Sequence, residues 1–325
     1  MKFIYRLITI ILSKSSILVG GQAVIEGVMM RVPGAYSTAV RDPKGDIHTD
    51  RHEFTSLAEK YRYLKLPLIR GMISLFEAMK IGIRTLTWSA DIAIPEDEKP
   101  KDTNKFWETV SSIFALVIAM GLFFIAPIGI TSWLFDKNNE PFLFNILSGI
   151  VRISIFLVYL LAISMMKDVK RLFQYHGAEH KTVYTFENGD PLDVESARKF
   201  PTQHPRCGTS FIFIIMIVAI IFFAITDSLF IRVVGDLTFL KRLVVHLPLI
   251  PFVAGVGYEV LKLTAKHRGN PIFRAFSQPG IWLQNITTKE PDDTQLEVAI
   301  VSLKSAFGDQ LPQYEGREYE AEAIG

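Results

Sequence analysis

Apolar residues in this chain gather into four long runs. Residues 110–134 carry no formal charge, 142–166 carry only Arg152, and 211–230 carry only Asp227. A fourth run, 243–261, is interrupted by His246, Pro248, Pro251 and Glu259. The first three reach the about 20 residues that an α-helix needs to cross a hydrocarbon core, and the fourth is the best further span. The pattern predicts an α-helical integral membrane protein with about four transmembrane helices and a small cytoplasmic α+β part.

The segments around the spans have patterns of their own. Residues 1–19 are apolar but broken by Arg6 and Lys14, which predicts a peripheral N-terminal helix, with a fifth span as the alternative. Residues 20–105 read as a cytoplasmic β-hairpin and amphipathic-helix region. Its strands 36–41 and 47–54 flank the turn cluster Asp42, Pro43, Lys44, Gly45 and Asp46. Glu26 falls inside the apolar run 20–31, where a carboxylate needs a partner. Arg31 or backbone amides are the plain choices, and a position facing the chemistry described below is the sharper one. His48 and His52 read as surface residues.

From 61 to 90, Leu64, Leu68, Met72, Leu75, Met79 and Leu86 recur at helical spacing. That helix either lies along the membrane surface, packs on the spans, or is an ordinary core helix with one solvated face. The membrane region is placed at 106–265 and includes a cytoplasmic loop at 167–210. Within that loop, 167–180 continues the second span as helix, 181–187 alternates like a strand, and Asp193 caps a short helix. The tail, 266–325, holds a surface segment with Trp282 and then a helix that begins near Glu290 and packs on the cytoplasmic unit. Arg152 is expected to snorkel or to pair with Asp227.

Composition agrees with a membrane protein: 49% of residues are hydrophobic and the mean hydropathy is +0.27. Charge then sets the orientation. Segments 1–109, 167–210 and 264–325 hold nearly all the Lys and Arg, whereas 135–141 and 231–242 hold few. The positive-inside rule places both termini and the 167–210 loop in the cytoplasm of a cell-membrane protein. A net charge of +2 gives no general attraction to nucleic acid, leaving membrane lipid as the partner the sequence implies. The single cysteine rules out an intrachain disulfide.

Candidate chemistry is concentrated in 175–210. His176 and His180 are four residues apart, one face of a helix, and His204 stands three before Cys207. These are metal-ligand spacings, and tetrahedral nitrogen and sulfur donors favour zinc among divalent ions. Glu259, at the inner end of the fourth span, is a further candidate ligand. His176, Gly177, Ala178, Glu179 and His180 also fit the H-x-x-E-H pattern, in which two histidines bind zinc and the glutamate is the general base. Glu179 is thus the candidate catalytic residue. His204 and Cys207 could instead close a four-ligand structural site. A metal-dependent hydrolase and a membrane scaffold or regulator with a structural metal both remain open.

GGQAVIEGVMMR, LPLIRG, YHGAEHKTVYTFE, HPRCGTSF and TTKEPDDTQLEVAI together resemble the YqhQ-like family of bacterial membrane proteins, a domain of unknown function. The resemblance covers nearly all of the chain after Gly20. It implies an integral membrane protein described as a predicted metal-dependent enzyme, with no settled substrate.

Overall fold

The structure is a computed structural model that describes residues 16–17, 19–95, 105–135, 140–205, 207–235, 238–266 and 271–321. Four strands form an antiparallel meander: β1 (Gly20–Val24), β2 (Gly27–Val32), β3 (Ala35–Arg41) and β4 (Ile47–Glu53). Asp42 Oδ1 accepts from the Lys44 and Asp46 amides and closes the β3–β4 turn, as its Pro and Gly lead one to expect. The 20–31 run is not a single strand. Val24 pairs with Gly27 across a turn in which Glu26 takes a φ of 50°, so the carboxylate sits at a hairpin tip.

The main helices follow as α1 (Ile69–Ala93), α2 (Lys105–Met120 and Ala126–Leu134, joined by the π-turn Gly121–Ile125) and α3 (Pro141–Ser164). Next come α4 (Lys167–Glu187), α5 (Val194–Arg198) and α6 (Gly208–Val234). The last are α7 (Phe239–Lys266), α8 (Pro271–Thr287) and α9 (Asp293–Phe307). Four of them, α2, α3, α6 and α7, are long and apolar enough to cross a membrane. The chain is an α-helical membrane protein with a small sheet at its N-terminal end.

The π-turn in α2 has a sequence cause. Pro127 has no N–H to give the Phe123 carbonyl four residues back, and the Arg152 Nε–H of α3 takes its place at 3.0 Å. Among the described residues Arg152 therefore meets a backbone carbonyl and not Asp227. That acid is held instead by Arg242 and His246 of α7.

Outside the spans, α9 and α1 cover opposite faces of the sheet. Val28, Met30, Ala35 and Ala39 belong to the core that α9 completes through Leu296, Ala299, Leu303 and Phe307. Met29 and Tyr36 turn the other way, to Ile81 of α1. Covering both faces leaves β2 and β3 almost wholly buried, so their alternation of apolar and polar residues is poor. Asp292 and Gln295 form a capping box at the start of α9, and Asp193 caps α5, both at the ends read from the sequence.

α1 attaches by an inward stripe that is largely polar. Glu77 accepts from Ser56 Oγ and the Leu57 amide, Thr85 Oγ1 accepts from Gln22, and Ser89 Oγ accepts from the Ile25 amide. The apolar face is left outward, with Phe76 65%, Met79 58% and Ile83 65% exposed. A soluble core helix does the reverse; an interfacial helix presents just such a face to lipid.

Two further expectations are corrected. α4 does not extend the second span, because α3 ends at Ser164 and Met166 takes an extended conformation (ψ 137°) before α4 begins. α4 also continues through 181–187, where a strand was expected. Tyr175, Ala178, Val183 and Phe186 all reach the core from it at helical spacing, so packing overrides the local alternation. Residues 1–15 of the expected N-terminal helix lie outside the described residues. Ser16–Ile17 forms a short strand paired in parallel with Glu320–Ala321.

Candidate metal centre

α4 presents His176 and His180 one turn apart, and the connection after α5 brings Cys207 to them as the N-cap of α6. Cys207 Sγ accepts from the Thr209 amide at 3.5 Å and lies 3.2 Å from Thr209 Oγ1.

The two imidazoles are oriented from behind. His176 Nδ1–H donates to the Thr287 carbonyl at 2.8 Å, and His180 Nδ1–H donates to the Thr202 carbonyl. A carbonyl only accepts, so each ring carries its proton on Nδ1 and turns the Nε2 lone pair toward the group. Ligating histidines are generally held in this way. His176 Nε2 lies 3.1 Å from Cys207 Sγ. One donor atom from each of His176, His180 and Cys207 falls within 4.8 Å of the others. His180 is only 2% exposed, and its Nε2 has no hydrogen-bond partner among the described residues. Burial holds its pKa below the usual histidine value while Cys207 pulls the other way, so the ring is kept neutral, the form a metal takes.

Glu179 is buried, with Oε2 3.4 Å from His180 Nε2. His204 is a neighbour outside the three-donor group. Its ring centroid is 5.6 Å from that of His180, and its Nε2 faces Glu187 Oε2 at 3.5 Å. Glu259 is not with the site. Arg70 donates to both its oxygens, Nε at 2.7 Å and Nη2 at 2.5 Å, because the inner end of α7 packs on the start of α1. Glu26 is bound by Arg171 and the Tyr175 hydroxyl of α4, whereas Arg31 stacks over Phe54. The positive-φ turn carries the Glu26 carboxylate beyond the sheet edge to α4.

Sequence reasoning missed the supports. Gln284 of α8 clamps the His204 backbone, accepting from its amide at 2.7 Å and donating to its carbonyl at 2.8 Å. Glu187 was hidden by the strand reading of 181–187, since only a continuous helix puts it on the face of His176 and His180. Gly177 is required for the close approach of the strap after α8: a Cβ there would lie 2.1 Å from the Lys289 carbonyl oxygen.

These elements also bound the likeness to known proteins. Residues 66–309 match the family described as "Protein of unknown function (DUF1385)", a stretch that takes in α1, all four spans, the three-donor group and α9. The uncharacterised protein YqhQ of Bacillus subtilis (strain 168) is 34% identical over 307 residues, covering 87% of this chain and 90% of its own length. No solved structure matches. With three quarters of its length inside that match, spans and His/Cys group included, the chain belongs to the DUF1385 family.

Proposed function

We propose that the protein is a metal-dependent hydrolase of the cell membrane, with a divalent ion, zinc by its donors, at the cytoplasmic edge of the spans. The observation that carries this reading is the buried His180 Nε2, which has no hydrogen-bond partner among the described residues and belongs to a group with His176 and Cys207. A buried nitrogen left unsatisfied costs stability unless something fills its lone pair. Two imidazole nitrogens and one sulfur are a donor set that zinc takes, and three protein ligands are the number catalytic sites use.

When bound, the ion supplies Lewis acidity. The chain's residues do the rest. Thr287 and Thr202 hold the imidazoles in the ligating tautomer, and buried Glu179 is placed to accept a proton. The distribution of Lys and Arg supports the cytoplasmic side for this edge and for both termini.

Elemental analysis of the purified protein should give one zinc per chain, lost in His180→Ala and Cys207→Ala. Glu179→Gln should keep the metal yet fail to complement a deletion strain. A second reading is favoured by the donors' origin, because an ion shared by α4 and the cap of α6 would fasten two segments together. Full complementation by Glu179→Gln selects that reading, and wild-type protein free of metal defeats both.

A further inference from the structure

At the far end of the bundle, Asp227, Arg242, His246 and Arg152 form a second polar cluster among apolar helices. Asp227 lies about 30 Å beyond Cys207 along α6, at about 1.5 Å per residue. Its carboxylate is fully buried, with Oδ1 2.7 Å from His246 Nε2 and Oδ2 3.1 Å from Arg242 Nη1. Arg242 is 3% exposed, and its Nε and Nη2 have no hydrogen-bond partner among the described residues. Nη1 also faces Asn145 Oδ1 at 3.4 Å, and the guanidinium stands over the Phe144 ring.

One carboxylate cannot balance two guanidinium groups. Arg152 gives its Nε–H to a carbonyl, which satisfies a donor but leaves its charge. Among the described residues the cluster therefore holds one more positive charge than its carboxylate balances, a costly arrangement within the spans unless an anion completes it. There is room for one. Arg152, Arg242 and His246 line a cavity of about 50 Å³, walled on its apolar side by Phe124, Leu247 and Ile250. Leu247 and Ile250 are exposed on the bundle surface, where lipid tails would lie.

We propose that this cavity is a binding site for a phosphate-type oxyanion, held by the unused N–H groups of Arg242 together with Arg152 and His246. Planar guanidinium forks match the oxygens of a phosphate, and their charge survives in a low dielectric. The same chemistry is offered by a phospholipid headgroup and by free phosphate. The apolar wall beside the cationic end suits an amphiphile. This site is separate from the His/Cys centre and does not depend on it.

The test uses the full-length protein in neutral detergent. Thermal unfolding is followed during titration with short-chain phosphatidic acid, with phosphatidylcholine of the same chains, and with inorganic phosphate. Stabilisation by phosphatidic acid alone is expected, with the midpoint concentration raised about tenfold in Arg152→Gln, the loss of about one charged contact. Stabilisation by inorganic phosphate at similar concentrations, again dependent on Arg152, supports the site with the free anion as its source. Arg242→Gln removes a buried ion-pair partner and Arg152→Gln the donor to the Phe123 carbonyl, so the decision rests on the midpoint concentration in Arg152→Gln and not on its unfolding temperature without ligand. No response to either phosphate compound, equal stabilisation by phosphatidylcholine, or an undiminished response in Arg152→Gln overturns the proposal.

Discussion

Gly177 sits against Lys289 so closely that one added methyl group would fall 2.1 Å from the Lys289 carbonyl oxygen. The Lys289 amide in turn donates to the Phe173 carbonyl at 2.9 Å, so the strap after α8 is fixed to α4 by backbone atoms on either side of the first histidine. Because Thr287, which orients His176, lies just before this strap, the contact reaches the three-donor group without touching it.

Gly177→Ala is therefore expected to separate the strap from α4. Overpacking of this kind costs about 1 to 3 kcal/mol, and here the obstacle is backbone that cannot rotate away. The expected result is a lower unfolding temperature together with reduced zinc content, although no donor has been altered. Ordinary zinc content and stability would show that the strap is free to move.

Glu259→Gln is expected to leave the metal content unchanged, since both carboxylate oxygens are already occupied by Arg70. Its effect should appear where α1 meets α7, as faster proteolysis around 60–70. Loss of metal in Glu259→Gln would return this residue to the ligand set.

The outward face of α1 is expected to touch lipid. A spin label at Phe76→Cys or Ile83→Cys should be relaxed more by oxygen than by a water-soluble nickel chelate. A label at Glu297→Cys on α9, more than half exposed, should show the opposite order. Equal accessibility to both agents at Phe76 and Ile83 would place α1 in water.

A membrane-impermeant thiol reagent should not label a cysteine placed in 188–193 in intact cells, while it should do so after permeabilisation. Labelling from outside would reverse the orientation read from the Lys and Arg distribution. The same experiment decides on which side of the membrane the His/Cys group lies.

The spans were legible because nothing but a membrane explains 25 residues without a charge, as in 110–134. His176, His180 and Cys207 were legible because their spacing is a local property. What stayed hidden depended on neighbours distant in sequence. The carboxylate of Glu259 could be read as a ligand until Arg70, 189 residues away, was seen to occupy it. The apolar side of α1 pointed outward because Glu77, Thr85 and Ser89 found polar partners on the sheet and its flank. Residues 181–187 alternate as a strand would, and only the burial of Val183 and Phe186 against α9 and its surroundings shows why they are helical. Arg152, too, was read against Asp227, because nothing local shows that the Phe123 carbonyl, 29 residues away, would accept its Nε–H.

The sheet that α9 covers is synthesised before the spans, and α9 after them. Ser37 Oγ donates to Ser305 Oγ at 2.8 Å across 268 residues of sequence, and Ser302 Oγ donates to the Ser37 carbonyl. While the ribosome is still synthesising the spans, Val28, Met30 and Ala39 have no cover on that face, and His176 lacks the carbonyl that aims it. Completion of the His/Cys group thus comes late in biogenesis. A chain stalled or clipped before 293 would enter the membrane with its spans yet expose an apolar sheet, the signal by which quality-control proteases tell an unfinished molecule from a finished one.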